Sequence, residues 1–255
     1  MKRFVGIDVG STCAKVAVLD GSGNVVLKFL RPTGFSSVDA AEDIRERLWS
    51  SGVDVGESVV CATGYGRVSV PFANRRVTEI TCHAKGAAFL FGSPDLFLID
   101  IGGQDTKVIS VENGQVRDFL MNDKCSAGTG RFLEVMANSL AIRPVELCSL
   151  ASTGGGVKIS SMCTVFAESE VISLIAGGER KENIAYAVVD SISDKAATLC
   201  RRIFNGSSEV FLTGGLCGCP FLLEKIGEKL GAEVKSSKDA QYAGALGAAL
   251  MAMGS

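Results

Sequence analysis

The sequence predicts an α/β protein of two related lobes, and three observations support this fold class. The chain has 255 residues, more than one typical domain needs, although one large α/β unit stays possible. Segments with strand-like and helix-like hydrophobic patterns follow one another throughout the chain. An internal repeat relates the first strands of the two halves. With 47% hydrophobic and 21% charged residues, the chain can bury a sizeable core.

Composition and charge exclude several functional classes. The net charge of −2 provides no positive field for nucleic acid or for an anionic membrane. No apolar run reaches the ~18 residues of a membrane span, and the N-terminus lacks the apolar segment of a signal peptide. Nine cysteines, an odd number in a chain too large to need disulfides, indicate a reducing compartment. We therefore expect a cytoplasmic protein without nucleic-acid or membrane partners.

The internal repeat aligns residues 7–20 with residues 99–112 without a gap. The aligned segments are identical at Ile7/Ile99, Asp8/Asp100, Gly10/Gly102, Lys15/Lys107 and Val16/Val108. Each copy reads as an apolar strand, a glycine-rich turn, a second strand, a small turn and a third strand. This pattern predicts a three-stranded antiparallel meander in each lobe. The same aspartate and glycine at the same turn favour duplication over chance.

Hydrophobic patterning predicts the remaining elements in chain order. The turn-forming residues 92–94 indicate the boundary between the lobes. The predicted helices span 37–48, 78–91, 128–140, 164–176, 183–204, 221–230 and 242–253, and further strands span 57–63 and 209–213.

The turn after the first strand has the residue types that bind phosphate. Asp8 ends the predicted strand. The turn that follows provides a glycine, two hydroxyl side chains and a cation: Gly10, Ser11, Thr12 and Lys15. Backbone N–H groups at such a turn face an anion, and the carboxylate can hold Mg²⁺ directly or through water.

The second copy of the repeat has an equivalent loop. Asp100 is followed by Gly102 and Gly103, and then by Gln104, whose side chain suits the orientation of a water molecule. One D-x-G turn alone is typical of an ordinary hairpin. Two copies, together with the T-G-G turn at 213–215, favour phosphate binding. The chain has neither a P-loop nor a dinucleotide-binding fingerprint.

Four further motifs make a family resemblance specific. They are ATGYGR at 62–67, NDKCSAGTGRFLE at 122–134, SMCTVFAESEVIS at 161–173 and AQYAGALGAAL at 240–250. The paired loops and the T-G-G turn resemble the actin, Hsp70 and sugar-kinase superfamily of ATPases. With the four motifs, almost the whole chain resembles the ATP-dependent activators (archerases) of 2-hydroxyacyl-CoA dehydratases. The wider group includes benzoyl-CoA reductase ATPase subunits and reductases of double-cubane cluster proteins.

The resemblance implies two ribonuclease H-like lobes, residues 1–94 plus 240–255 and residues 95–239, with ATP in the cleft between them. Asp8, Asp100 and Gln104 are the expected catalytic residues, and Asp8 is also the expected Mg²⁺ ligand. The expected residues for ATP or ADP are Gly10, Ser11, Thr12, Cys13, Ala14, Lys15, Gly102, Gly103, Gln104, Gly214, Gly215 and Gln241.

Cys125 and Cys163 each precede a predicted helix, where the helix dipole and unpaired N–H groups favour a thiolate. A lone cysteine at such a position is more often a small buried residue. One chain offers no evident set of four thiolates. The resemblance implies that Cys125 and Cys163 of two subunits of a homodimer share one [4Fe–4S] cluster.

The other cysteines and the histidine have plainer interpretations. The Cys217-Gly218-Cys219 segment departs from the family pattern, so a redox or metal role for it stays open beside a structural one. His83, the only histidine, is expected to be structural. Small core residues are expected at Cys13, Cys61, Cys82, Cys148 and Cys200.

The resemblance implies an ATPase that injects a low-potential electron into a 2-hydroxyacyl-CoA dehydratase or a related iron–sulfur protein. A ferredoxin or a flavodoxin is the implied electron donor, and the setting is anaerobic. Two alternatives remain. A small-molecule kinase of the same fold would use Asp105 or Asp123 as general base without a cluster. A nucleotide-regulated scaffold would form filaments and need neither thiolate.

Overall fold

The computed structural model describes residues 2–161, 163–206 and 208–254. Its strands are β1 (Phe4–Val9), β2 (Cys13–Leu19), β3 (Val25–Pro32), β4 (Val59–Thr63), β5 (Arg75–Arg76), β6 (Leu96–Ile101), β7 (Thr106–Glu112), β8 (Gln115–Asn122), β9 (Glu209–Gly214) and β10 (Val234–Lys235). Its α-helices are α1 (Ser37–Ser50), α2 (Glu79–Phe91), α3 (Gly130–Ser139), α4 (Pro144–Ala151), α5 (Thr164–Ala176), α6 (Lys181–Cys200), α7 (Pro220–Leu230) and α8 (Ala243–Met253).

The chain divides into two compact units. The first contains the described residues of Met1–Leu96, Val111–Arg117 and Asp239–Ser255. The second contains those of Phe97–Ser110 and Asp118–Lys238. Among the described residues, the strands form two five-stranded sheets, with the orders β3-β2-β1-β4-β5 and β10-β9-β6-β7-β8. The α/β class predicted from the sequence is therefore confirmed.

In the first unit, β1 pairs antiparallel with β2, which pairs antiparallel with β3, and this confirms the first predicted meander. Successive side chains of a strand point to opposite faces of the sheet. Ile7 of β1 belongs to a core cluster that includes Ile44 of α1. Phe4 belongs to another cluster, with residues of α2 and α8 such as Cys82 and Ala245. By the same alternation, Asp8 lies on the face covered by α2 and α8.

In the second unit, one apolar cluster joins the sheet to all five described helices α3–α7. Phe97 and Ile99 of β6 are buried in it, together with Phe132 of α3 and Leu147 of α4. The strands β6, β7 and β8 are neighbours in this sheet, in the order expected for the second copy of the repeat. Helix α6 is the longest described helix and contacts α3, α4, α5 and α7.

Two helix predictions were wrong in ways that physical chemistry explains. Helix α3 begins at Gly130 and not at Gly128, because Gly128 has a φ of +85°, which a right-handed helix excludes. Helix α4 was not predicted, since its eight residues are too few to show a helical period. Pro144 begins α4, and Glu146 accepts hydrogen bonds from the backbone and the guanidinium of Arg143. No helix in the described part of the chain is long and apolar enough to cross a membrane.

Candidate functional site

The first predicted phosphate loop lies at the end of β1. Asp8 is the penultimate residue of that strand, and only 4% of its surface is exposed. Ser11 and Thr12 are exposed in the turn that follows. A Cβ atom added to Gly10 would lie 3.6 Å from Lys15 Nζ, so the ammonium group is close to the turn. The loop therefore combines a buried carboxylate, exposed hydroxyl groups and a cation.

The next two predicted residues, Cys13 and Ala14, begin β2. The Gly10 N–H donates to the Cys13 carbonyl oxygen at 3.2 Å, which closes the turn. Cys13 is half-buried, and the Ala14 side chain is fully buried in the core shared with α1. Ala14 can therefore contribute to a ligand site only through its backbone.

Three neighbours enclose the Asp8 carboxylate. A Cβ atom added to Gly244, at the start of α8, would lie 2.6 Å from Asp8 Oδ2 and 2.7 Å from His83 Nε2. A Cβ atom on Gly64, which has a φ of +85°, would lie 2.5 Å from Asp8 Oδ1. His83 Nε2 itself lies 3.8 Å from Asp8 Oδ2. Sequence reasoning assigned no role to these glycines, although the ATGYGR and AQYAGALGAAL motifs contain them.

Both carboxylate oxygens of the second aspartate, Asp100, accept hydrogen bonds. Thr213 Oγ1 donates to Asp100 Oδ1 at 2.8 Å, and Lys107 Nζ donates to Asp100 Oδ2 at 3.3 Å. Lys107 Nζ also lies 2.8 Å from Asp105 Oδ2. Asp100 and Lys107 are both buried, so their charges compensate each other inside the second unit. Asp100 thereby connects the end of β6 to the end of β9.

The second glycine loop is bound directly to the start of α3. The N–H of Gly130 donates to the carbonyl oxygen of Gly102 at 2.9 Å. The N–H of Arg131 donates to the carbonyl oxygen of Gly103 at 2.8 Å. These N–H groups belong to the first turn of α3, which has no partners for them within the helix. Gln104 follows in the same loop and is exposed.

The T-G-G turn continues from β9. Gly214 has a φ of +88°, and a Cβ atom there would lie 3.0 Å from Asp100 Oδ1. The Gly215 N–H donates to the Ile101 carbonyl oxygen at 3.0 Å, so this turn adjoins the second glycine loop. Gln241 was grouped with this turn from the sequence. It lies in a short 3₁₀ turn that belongs to the first unit.

The two predicted cluster cysteines lie in segments that touch each other. Cys125 and Cys163 are both exposed, and Cys163 is the residue that precedes the first turn of α5. Ser126, next to Cys125, and Thr164, next to Cys163, are joined by a hydrogen bond of 2.9 Å between their hydroxyl oxygens. The fold therefore brings together the two segments that carry these cysteines, although Ser126 and Thr164 are 38 residues apart in sequence.

A carboxylate on α5 fixes the chain before Cys163. Glu170 accepts hydrogen bonds from the backbone N–H groups of Ser160 at 3.0 Å and Ser161 at 3.2 Å. Partial burial opposes ionisation of Glu170, but these N–H donors outweigh it and lower the pKa of the carboxyl group. Ionised Glu170 thus keeps the segment that leads to Cys163 attached to α5.

The other cysteines include two pairs of neighbouring thiols that shift each other's pKa values. In the first unit, Cys61 and Cys82 form such a pair, and both are fully buried. In the second unit, Cys148 and Cys219 form the other pair. Burial raises the pKa of Cys200 to about 12, so this thiol is a small core residue, as expected. No group of three or more histidine, cysteine or acidic side chains suited to one metal ion occurs among the described residues.

A repeated strand, glycine loop and strand, with an aspartate at each strand end, defines an ATPase of the actin-like fold, as the sequence predicted. The chain belongs to the BadF/BadG/BcrA/BcrD ATPase family, whose model matches residues 5–252. The family resemblance noted in the sequence is confirmed.

Individual relatives match over nearly their whole length. The chain is 43% identical over 251 residues to the (R)-2-hydroxyglutaryl-CoA dehydratase activating ATPase of Acidaminococcus fermentans. The aligned region covers 97% of this chain and 96% of that protein. The crystal structure of component A of the (R)-2-hydroxyglutaryl-CoA dehydratase of that organism matches with a TM-score of 0.93 and 42% identity, over 100% of this chain and 98% of that one.

A second crystal structure holds a nucleotide analogue. The activator of 2-hydroxyisocaproyl-CoA dehydratase from Clostridium difficile, solved with bound ADPNP, matches with a TM-score of 0.92 and 34% identity. The match covers 99% of this chain and 94% of that chain. Both halves of this protein therefore have counterparts in a nucleotide-bound relative.

We expect Gly244→Ala to displace the Asp8 carboxylate, because the added methyl group would overlap both Asp8 and His83. Overpacking of this kind costs about 1–3 kcal/mol of folding free energy, and ATP hydrolysis should fall much more than this loss of stability explains. Denaturant unfolding and ATPase rate measure the two effects. Gly254→Ala, at the end of the same helix, is the matched control, since its nearest atom is a carbonyl oxygen at 3.7 Å. Equal effects of both substitutions would contradict the close approach at Asp8.

Proposed function

We propose that this protein is an ATP-dependent activator of a 2-hydroxyacyl-CoA dehydratase or a related iron–sulfur enzyme, to which it delivers a low-potential electron. One observation carries the proposal: a continuous series of backbone and hydroxyl hydrogen bonds links the second glycine loop to the segments of both exposed cysteines. The names of the dehydratase activators among the relatives support the partner class.

The residues of the first loop fit a nucleotide with its metal ion. Buried Asp8 provides oxygen ligands of the type that Mg²⁺ prefers, and the exposed turn at Ser11 and Thr12 offers donors to phosphate oxygens. Mg²⁺, when bound, neutralises part of the phosphate charge. Gly10 keeps the turn open to an anion, and Lys15 adds a positive charge beside it.

The second loop provides the hydrolytic group. Gln104 is exposed in a loop whose flanking carbonyl groups are fixed by α3. Its amide can donate to and accept from an attacking water molecule, as water-orienting glutamines do in other phosphoryl-transfer enzymes. Asp100 has both carboxylate oxygens engaged by Thr213 and Lys107, so we assign it the role of holding this loop and the T-G-G turn.

Movement of the second loop has a direct route to the cysteines. Because Gly102 and Gly103 accept the first N–H donors of α3, a shift of this loop on hydrolysis pulls the start of α3 with it. The Thr129 N–H, just before α3, donates to the Ser126 carbonyl oxygen at 3.1 Å, and Ser126 in turn bonds Thr164. Lowering a one-electron potential by about 200 mV takes about 4.6 kcal/mol. Differential nucleotide binding to two conformers provides free energies of that order.

The two exposed cysteines fit half of a shared iron–sulfur site. Each chain has two exposed cysteines in segments that contact each other, and a four-thiolate set requires two more, which a symmetric partner can provide. Such a cluster, when bound, supplies one-electron redox chemistry at low potential. Cys163 lies at the N-terminus of α5, whose N–H groups stabilise negative charge on sulfur.

The exposed apolar side chains of α5 support a homodimer. Val165, Phe166, Ile172 and Ile175 are each at least 41% exposed, and Phe166 reaches 68%. A helix that leaves such side chains in water is typical of an interaction surface. Since α5 begins directly after Cys163, contact between two copies of α5 would bring their thiols into one neighbourhood. We also propose that a ferredoxin or a flavodoxin is the electron donor. The proposed location is the cytoplasm.

A small-molecule kinase is the second candidate from the sequence. Asp105, one of its proposed bases, is ion-paired with Lys107, which reduces its availability for a substrate proton. Asp123, the other, is exposed beside Cys125. A brown, oxygen-sensitive protein excludes the kinase, whereas a colourless protein that phosphorylates a small substrate excludes the activator.

Asp8→Asn should nearly abolish ATP hydrolysis, because the amide removes the negative charge that holds Mg²⁺ while keeping the shape of the side chain. The visible absorbance of anaerobically purified protein should be unchanged, since Asp8 and the two cysteines belong to different units. ATPase rates at several Mg²⁺ concentrations measure the effect. Turnover equal to that of the wild type would remove Asp8 from the site.

Gln104→Ala should lower the turnover number by about 10²-fold while leaving ADPNP affinity within a few-fold, because a water-orienting group acts in the transition state. Steady-state kinetics and calorimetric titration of ADPNP separate the two quantities. Gln115→Ala, an exposed glutamine in β8, is the control. A loss confined to affinity would show that Gln104 only binds the nucleotide.

Iron content tests the cluster assignment. We expect about four iron atoms per dimer, or two per chain, in anaerobically purified protein. Cys125→Ser and Cys163→Ser should each lose the colour and the electron transfer, since either change removes two of four thiolates by symmetry. The control, Cys217→Ser with Cys219→Ser, should keep its iron. Four irons per chain, or colour that survives Cys163→Ser and fails in the control, would overturn the assignment.

A further inference from the structure

Cys148 and Cys219 meet at the wall of a cavity in the second unit. Cys148 lies on α4, and Cys219 is the residue that precedes the first turn of α7. Both line a cavity of about 170 Å³, and each thiol shifts the pKa of the other. Gly215 of the T-G-G turn lines the same cavity. A space of this size admits water and other small polar molecules, so the pair is accessible although Cys219 is only 2% exposed.

The two thiols have different acid strengths. The hydrogen bond donated by Cys148 lowers the pKa of Cys219 against the effect of burial, and the backbone N–H groups of Leu222 and Phe221 lower it further. The same hydrogen bond, together with burial, raises the pKa of Cys148. Cys219 is therefore the better nucleophile, and Cys148 is a thiol placed beside it. A reactive thiolate next to a resolving thiol is the arrangement of redox-sensing cysteines.

We propose that Cys148 and Cys219 are a redox modification site at which hydrogen peroxide forms a reversible intrachain disulfide. The Cys219 thiolate attacks one peroxide oxygen, the O–O bond breaks, and hydroxide leaves and takes up a proton as water. The Cys148 sulfur then attacks the resulting sulfenic acid, loses its proton and releases a second water. In sum, two thiols and one peroxide give one disulfide and two waters. Dithiothreitol or a cellular dithiol reverses the reaction.

The disulfide would join α4 to the start of α7 across the cavity. A disulfide requires Cα atoms about 4.4–6.8 Å apart, so it limits how far these two helices can separate. Gly215 borders this cavity, and the preceding Gly214 lies against Asp100. On the proposed function, which this consequence rests on, oxidation therefore weakens nucleotide binding at the T-G-G turn. The oxidised protein would then hydrolyse ATP more slowly at ATP concentrations that do not saturate it.

The chain contains a natural comparison for this pair. Cys61 and Cys82 are also neighbouring thiols, and their interaction lowers the pKa of Cys61 and raises that of Cys82. Both side chains have 0% exposure and lie in the core between β4, α2 and α8. In both pairs one thiol has a lowered pKa and the other a raised pKa. The pairs differ in how easily peroxide can reach them. Peroxide should therefore oxidise Cys148 and Cys219 well before Cys61 and Cys82.

Peptide mapping of full-length protein tests the site. Anaerobically purified wild type is treated with one equivalent of hydrogen peroxide per chain, alkylated and digested with trypsin. We expect residues 132–158 to be linked to residues 203–225, with the loss of two hydrogen atoms. Because the second peptide contains both Cys217 and Cys219, Cys217→Ser is the matched control and should keep the link. Cys148→Ala and Cys219→Ser should abolish it.

Three outcomes overturn the site. They are a link that persists in Cys219→Ser and disappears in Cys217→Ser, oxidation of Cys61 and Cys82 at the same peroxide dose, and Cys148 that stays fully alkylated. Circular dichroism first shows whether each variant is folded, and only folded variants are used to judge the site.

Calorimetric titration with ADPNP tests the consequence separately. Oxidised wild type should bind ADPNP about tenfold more weakly than reduced protein, and dithiothreitol should restore the affinity. Cys148→Ala should bind ADPNP as the reduced wild type does, before and after peroxide. Any loss that comes from oxidation elsewhere appears equally in this variant. A disulfide without an affinity change refutes the control of nucleotide binding, while a reduced protein that never binds ADPNP refutes the proposed function instead.

Discussion

The hydrogen bonds between the second glycine loop and α3 are the constraint on which the second unit depends. Gly102 and Gly103 present their carbonyl oxygens to Gly130 and Arg131, whose N–H groups have no partner within the helix. Breaking these bonds leaves buried or half-buried backbone groups unsatisfied, which costs about 1–3 kcal/mol for each. The loop and the helix therefore move together. On the proposed function, a shift of this loop can thus reach the segment of Cys125 without any large rearrangement.

The duplicated loops have diverged into two different electrostatic environments. Asp8 is enclosed by glycine backbone at Gly64 and Gly244, with His83 nearby. Asp100 instead shares a buried cluster with Lys107 and Thr213. A buried carboxylate that is already ion-paired with a lysine gains less from a bound Mg²⁺ than one that is not. The same sequence signature therefore has a structural role in the second copy, while the first copy is the one for which we propose metal binding.

Sequence reasoning succeeded where the determinants are local. The first meander follows from alternating apolar residues and glycine turns, and α5 spans 164–176 as its pattern predicted. It failed where the determinants are distant. Nothing in the chain around Gly244 shows that Asp8 lies against it, because a strand and a helix more than two hundred residues apart create that contact. The contact between Ser126 and Thr164 is of the same kind, since it depends on how two segments pack and not on either pattern.

The cysteines show why residue type alone does not fix chemistry. Sequence patterns marked five of them as core residues, and this is adequate for Cys200, which is fully buried. Cys61 and Cys82 are paired but inaccessible, whereas Cys148 and Cys219 are paired beside a cavity, and Cys125 and Cys163 are exposed. Reactivity requires both a stabilised thiolate and a path for the reagent. Access, which only the three-dimensional structure determines, therefore separates core residues from the proposed redox pair and from the proposed cluster ligands.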